Sequence, residues 1–160
     1  LAELAAPFDV VSVALSKGLG CPVGSLIAGR AADMVRAVRA RRMFGGAMRQ
    51  SGILAAAGLY ALDYNVARLA DDHANACIIA EGVADTRAVI DLATVQSNIV
   101  IFRVPEPLPD AATVVRRAQE YGVLVSAFAA RTVRAVTHLN VDAAQCRRAA
   151  SVLAQAISQS

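Results

Sequence analysis

A ten-residue stretch, Ser16-Lys17-Gly18-Leu19-Gly20-Cys21-Pro22-Val23-Gly24-Ser25, limits what this chain can fold into more than any other. Three glycines and a proline fall within the seven residues after Lys17. No helix runs through such a segment, because glycine and proline both weaken it. The apolar run before it, Phe8 to Leu15, carries β-branched residues and few charges, which predicts a buried strand. Val23 to Gly29 predicts a short second strand paired with the first. Lys17 therefore stands on a tight turn at a strand end. It is also the single lysine among 160 residues; the other fifteen basic residues are arginine. An amine can lose its proton and attack a carbonyl, whereas a guanidinium stays charged. Read locally, Lys17 is either a carbonyl-binding amine or a solvated charge on a glycine-rich turn.

Hydrophobic residues make up 56% of the chain and aromatics 4%, so the apolar mass is mainly alanine, valine and leucine. That excess reads as surface meant for a partner or for another part of the same protein. The longest uncharged run, Gln50 to Leu62, is too short to span a bilayer. The start, Leu1-Ala2-Glu3-Leu4-Ala5, has no basic segment of the kind that opens a signal peptide. The chain reads as a piece of a longer cytoplasmic protein. A net charge of +3 does not by itself call for nucleic acid. Cys21, Cys77 and Cys146 are widely spaced and form no Cys/His cluster, so neither a disulfide framework nor a metal site is expected.

Further along, Asp33 to Met43 predicts a helix with Met34, Val35 and Val38 on one apolar arc. The adjacent Gly45 and Gly46 end it, and Ser51 is placed to cap the next helix, Ile53 to Leu62. Asp63-Tyr64-Asn65 marks a kink or turn before a further helix, Val66 to Val83. Asn98 to Val104 reads as a strand, Pro105 to Pro109 as a stiff turn, and Asp110 as the cap of a helix from Ala111 to Tyr121, ended by Gly122. Val123 to Ala127 and Thr132 to His138 read as strands. Asp142 caps a last helix, whose Ala149, Val152, Leu153, Ala156 and Ile157 fall on one face.

Three blocks in this order resemble the low-specificity L-threonine aldolases, enzymes of the β-eliminating lyase/threonine aldolase family. They are Leu15 to Ser25, Arg41 to Gly52, and Thr132 to Val141. The resemblance covers nearly the whole chain and corresponds to the C-terminal half of the family's enzymes. It implies an α/β fold: the end of the large domain of a fold type I pyridoxal-phosphate-dependent transferase, followed by a small C-terminal α/β domain. The implied divisions are 1–52 for the large-domain end, 53–93 for connecting helices and 94–160 for the small domain.

The resemblance also implies roles. Lys17 would be the catalytic lysine, joined to pyridoxal 5'-phosphate as a Schiff base. Threonine or allo-threonine would be cleaved to glycine and acetaldehyde, a step in threonine catabolism and glycine supply. Arg134, rather than its neighbour Arg131, would hold the substrate carboxylate through a guanidinium fork. Arg49, ahead of a helix start, would serve the cofactor phosphate, in the partner subunit's site or its own. Arg42 departs from the lysine common there in relatives and is left out of the site. His138 and His73 are read as structural or solvated. The partners implied are an amino-acid substrate, the N-terminal half of the same protein, and further copies forming a homodimer or homotetramer, with neither nucleic acid nor membrane. The alternatives are a related lyase or racemase using the same cofactor, a non-catalytic fragment, and a basic module built on Arg36, Arg39, Arg41 and Arg42.

Overall fold

A computed structural model describes residues 2–159. It divides into two compact units, Leu1–Ala67 and Arg68–Ser160. The boundary falls in the turn that interrupts the two middle helices. The stretch expected to connect the domains is thus shared, one helix going to each unit. No helix among the described residues is long and apolar enough to cross a membrane.

The first unit contains α1 (Ala2–Ala5), β1 (Val10–Ala14), β2 (Ser25–Gly29), α2 (Ala31–Met43) and α3 (Gly52–Tyr64). β1 and β2 form an antiparallel ribbon in which Val10 faces Gly29 and Ala14 faces Ser25. The expectation that β1 is buried does not hold. Val10 and Val13 are 45% and 41% exposed, and Leu26 and Ile27 of β2 are similarly open. The β-branched residues make the strand, but burial needs a second layer, and the unit places none over this ribbon. The apolar arc of α2 is open for the same reason: Val35 and Val38 are exposed and no residue of the helix is buried.

Helix α2 ends as its glycines predict. Gly45 adopts a left-handed φ of 77°. The Gly46 N–H donates to Arg41 O at 2.8 Å and the Gly45 N–H to Arg42 O at 3.4 Å, the paired bonds of a Schellman motif. Ser51 does not cap α3. Its backbone is already helical, at φ −61° and ψ −9°, and its side chain makes no cap bond. A capping hydroxyl needs an extended backbone to swing over the helix end.

The second unit contains α4 (Leu69–Ala84), a short 3-10 turn (Leu92–Thr94), β3 (Ile99–Arg103), α5 (Ala111–Glu120), β4 (Ser126–Ala129), β5 (Thr132–Val136) and α6 (Ala143–Ser158). The expected strand from Val123 forms only from Ser126 onward. The three strands make an antiparallel sheet in the order β3-β5-β4. Alternation along the strands splits the sheet into two faces. Val100, Phe102, Val133 and Ala135 turn inward and share one core with Ile79 and Val83 of α4, Val114 and Ala118 of α5, and Leu153 and Ile157 of α6. Each fully buried Val, Leu, Ile or Phe side chain contributes roughly 1.5–3 kcal/mol. The opposite face carries Ile99, Ile101, Arg134 and Ser126, and no helix of this unit packs on it among the described residues.

Of the three helix caps read from the sequence, the two in this unit are present. The Asp110 carboxylate accepts from Thr113 N at 2.8 Å. Asp142 and Gln145 form a reciprocal capping box at the start of α6. Asp72 is buried on α4, with its carboxylate bridged to Arg68 at 2.6 Å. The buried Thr137 hydroxyl donates to Asp72 O at 2.6 Å and ties the end of β5 to that helix.

Candidate active site

The lysine turn is built before its lysine. The Leu15 N–H donates to Gly24 O, and the Cys21 N–H to Leu15 O, each at 3.0 Å. The Gly20 N–H donates to Lys17 O at 2.8 Å, which closes the turn under the lysine. Gly20 and Gly24 hold φ values of 73° and 124°, a region that costs little only for glycine. Leu15, Leu19 and Cys21 are buried, as are Gly58 and Ala61 of α3, in a unit whose α2 has no buried residue. The first three seat the turn on α3. Leu15 Cδ1 passes over Gly58, where a Cβ would lie 3.5 Å away. The Cys21 thiol donates to Ala57 O at 3.5 Å. At the end of α3, Asn65 Nδ2 donates to Leu19 O at 2.8 Å. Lys17 itself is exposed and makes no ion pair among the described residues. The result is a free amine on a fixed backbone.

Cys21 belongs to the stretch singled out in the sequence, but Asn65 reads there only as part of a kink or turn between two helices, not as a residue that holds the lysine turn. An amide at a helix end becomes informative only once α3 lies under the turn.

Arg49 is exposed in the turn leading into α3, beside Gln50, whose φ of 52° is left-handed. Arg42 lies exposed in the last turn of α2. Arg36 and Arg39 line a cleft of about 700 Å³ together with Asp9, Asp33 and Arg30. That cleft is of mixed charge, with Arg30 bridged to both Asp9 and Asp33.

Arg134 occupies the central strand of the sheet in the second unit, opposite Ile101 on one side and Ser126 on the other. It has no acidic partner among the described residues. Its Nε is buried and without a hydrogen-bond partner. Its Cζ lies 5.8 Å from the ring centre of Phe128. Arg131, three residues earlier, has both terminal nitrogens engaged. It donates to Leu108 O at 2.7 Å and Val104 O at 3.4 Å and bridges Glu106 at 3.0 Å, pinning the proline-rich turn. The two arginines, alike in sequence, thus differ in what is left for a ligand. His138 Nδ1 accepts from the Asn140 N–H at 3.3 Å, and His73 is exposed on α4. Burial raises the Cys146 thiol above its ordinary value, with the Asp142 charge adding to the effect. No group of three His, Cys, Asp or Glu suited to a metal ion occurs among the described residues.

Residues 1–106 match the family described as Beta-eliminating lyase. The chain belongs to that family. Over 151 residues it is 44% identical to the low-specificity L-threonine aldolase of Escherichia coli (strain K12), covering 94% of this chain and 44% of that protein. Over 136 residues it is 42% identical to the probable low-specificity L-threonine aldolase 2 of Arabidopsis thaliana, covering 84% of this chain and 38% of that one. The chain therefore spans less than half the length of these relatives. Among solved structures, it superposes on a putative aromatic amino acid beta-eliminating lyase/threonine aldolase from Exiguobacterium sp. with a TM-score of 0.73 at 20% identity. That match covers 97% of this chain and 47% of the other. An 8-amino-7-oxononanoate synthase from Francisella tularensis gives 0.66 at 17% identity, over 91% of this chain and 44% of its own. At these identities the likeness is one of fold. This lyase-family chain has the mixed α/β fold of the fold type I pyridoxal-phosphate-dependent enzymes.

Proposed function

We propose that this chain is the C-terminal part of a pyridoxal-phosphate-dependent aldolase that cleaves L-threonine or L-allo-threonine to glycine and acetaldehyde. The observation that carries the reading is Lys17: a lone, unpaired, exposed amine on a turn whose backbone is fixed by Gly20, Gly24 and α3. This is the donor a carbonyl cofactor needs, and it is held without a competing carboxylate. Membership of the Beta-eliminating lyase family and the names of the relatives support the same reaction class.

Bound pyridoxal phosphate supplies an electron sink for the pair left at Cα when the Cα–Cβ bond breaks. This chain's residues bind and orient. Lys17 is the covalent anchor through Nζ. Arg49 is the cation offered to the phosphate, within one subunit's site or across to a second copy in a homodimer or homotetramer. Arg134 grips the substrate carboxylate, which fixes the bonds at Cα relative to the ring. No general base is assigned here: His138 serves its own loop and His73 lies on an exposed helix face. The remaining walls of the site are assigned to the N-terminal part of the same protein.

Borohydride treatment of the holoenzyme should fix the cofactor on Lys17, and Lys17→Ala should abolish that adduct. A cofactor adduct on any other residue refutes the assignment. Arg134→Ala removes a charge-assisted pair worth roughly 1.5–3 kcal/mol. It should raise KM for threonine about ten- to a hundredfold while the cofactor absorbance stays. Unchanged kinetics would remove Arg134 from the site. A substrate profile favouring deamination or racemisation over aldehyde release would redirect the reading to a sister lyase or racemase.

A further inference from the structure

We infer that Phe128 is the positioning residue for Arg134, holding its guanidinium so that a carboxylate docks on the two terminal nitrogens. This rests on the reading of Arg134 as the carboxylate ligand. Three observations converge on it.

The first is register. β4 pairs with β5 as Ser126 to Arg134 and Ala127 to Val133, but the next pair is Ala129 to Thr132. Phe128 is therefore the extra residue of a β-bulge. Regular pairing would set residue 128 across from Thr132, and the bulge releases it. Bulges re-aim a side chain and recur beside active sites.

The second is where the released ring goes. Its centre lies 5.8 Å from Arg134 Cζ, within range for a cation held over an aromatic face. The ring is not a core element, since Phe128 is 62% exposed on the sheet face opposite the core. A large exposed aromatic against a cation that lacks an anion is an arrangement built for the cation.

The third is the orphaned Nε. It is buried and has no acceptor. Buried polar groups without partners are uncommon in folded proteins and call for a reason. A carboxylate can meet a guanidinium side-on, through Nε and one Nη, or end-on, through both Nη atoms. Shutting Nε away removes the side-on edge. The ring lies 5.8 Å from Cζ and attracts the charge without acting as a carboxylate does, so this contact leaves the end-on fork for a carboxylate. Phe128 thus selects one docking direction and keeps the long arginine from spreading over other rotamers.

The test compares variants of the holoenzyme. Phe128→Leu keeps an apolar cover but removes the aromatic face. KM for threonine should rise about two- to fivefold, the equivalent of about 0.5–1 kcal/mol of cation–π attraction, with kcat unchanged. A contact made equally in ground and transition states moves KM alone. Phe128→Tyr should restore the parent KM, and Phe128→Leu should add nothing in an Arg134→Ala background. The ring is exposed, so the urea midpoint should not change and folding is not in question. An unchanged KM in Phe128→Leu, a loss confined to kcat, no rescue by Phe128→Tyr, or full additivity with Arg134→Ala would each overturn the inference. If Arg134→Ala raises KM and Phe128→Leu does not, the Phe128 inference alone falls. If Arg134→Ala leaves KM unchanged, both readings fall.

Discussion

Replacing Gly82 with alanine adds one methyl group where α4 packs on α6. A Cβ at that position meets Ala150 Cβ at 2.6 Å and Ala150 Cα at 3.5 Å. Carbon atoms pack best at about 3.5–4.0 Å, so the helices must part by about 1 Å, and a gap of that size forfeits up to half of each dispersion contact around it. The obstacle is a methyl on helix backbone, which cannot swing aside. Overpacking costs about 1–3 kcal/mol in general, and the upper part of that range, roughly 2–3 kcal/mol, suits a clash that moves a helix. Alanine regains about 1 kcal/mol over glycine in helix propensity. The net loss is therefore about 1–2 kcal/mol. Hydrogen exchange of the α4 and α6 amides reads this unit even within a longer protein. Exchange should quicken roughly five- to thirtyfold, the population equivalent of that loss. The swap Gly82→Ala with Ala150→Gly moves the methyl across the same interface and should return exchange close to the parent rate. Unchanged or slower exchange in Gly82→Ala, or no recovery in the swap, refutes the reasoning.

Gly58→Ala should behave oppositely. Its Cβ meets only the end of the Leu15 side chain, at 3.5 Å, so the gain in helix propensity, up to about 1 kcal/mol, should show as a higher urea midpoint with cofactor absorbance unchanged. Thr137→Val keeps the shape of the side chain but deletes the hydroxyl that donates to Asp72 O at 2.6 Å; a loss of about 1–2 kcal/mol is expected in the same assay. Arg131→Met should destabilise the turn held by its bonds to Leu108 and Glu106, yet leave KM for threonine unchanged, in contrast to Arg134→Ala. The Asp110 carboxyl is held below its ordinary value of 3.8, chiefly by the hydrogen bonds from Thr113. Its folded value is depressed, so its contribution is complete above the unfolded value and is lost as pH falls through the folded one. A stability titration below pH 4 should therefore fall less steeply for Asp110→Asn than for the parent.

Much of the second unit was legible because its signals are local. Asp110 and Asp142 sit one residue before their helices and cap them as read, since a cap needs only its own first turn. The face of Val152, Leu153, Ala156 and Ile157 is buried as its spacing predicts. Ser51 shows the limit of the same logic: the residue type suits a cap, but the preceding turn had already set its backbone helical. The strand at β1 was legible and its burial was not, because burial depends on a layer that the strand's own residues do not encode.

By itself, then, the sequence determined the chemical inventory: one amine where every other cation is a guanidinium, placed among glycines that force a turn. It also determined the periods of the second unit's strands and last helix, the glycine end of α2 and the caps at Asp110 and Asp142, all set by steric and hydrogen-bonding rules acting within a few residues. Only the tertiary structure decided which cation is free. The resemblance favours Arg134 over Arg131, three residues earlier, but gives no physical reason; in the structure Arg131 is engaged by Leu108, Val104 and Glu106, while Arg134 has no acidic partner among the described residues and lies beside Phe128. That difference arises from strand order and a one-residue bulge, which bring together residues distant in the chain, and no local pattern carries it.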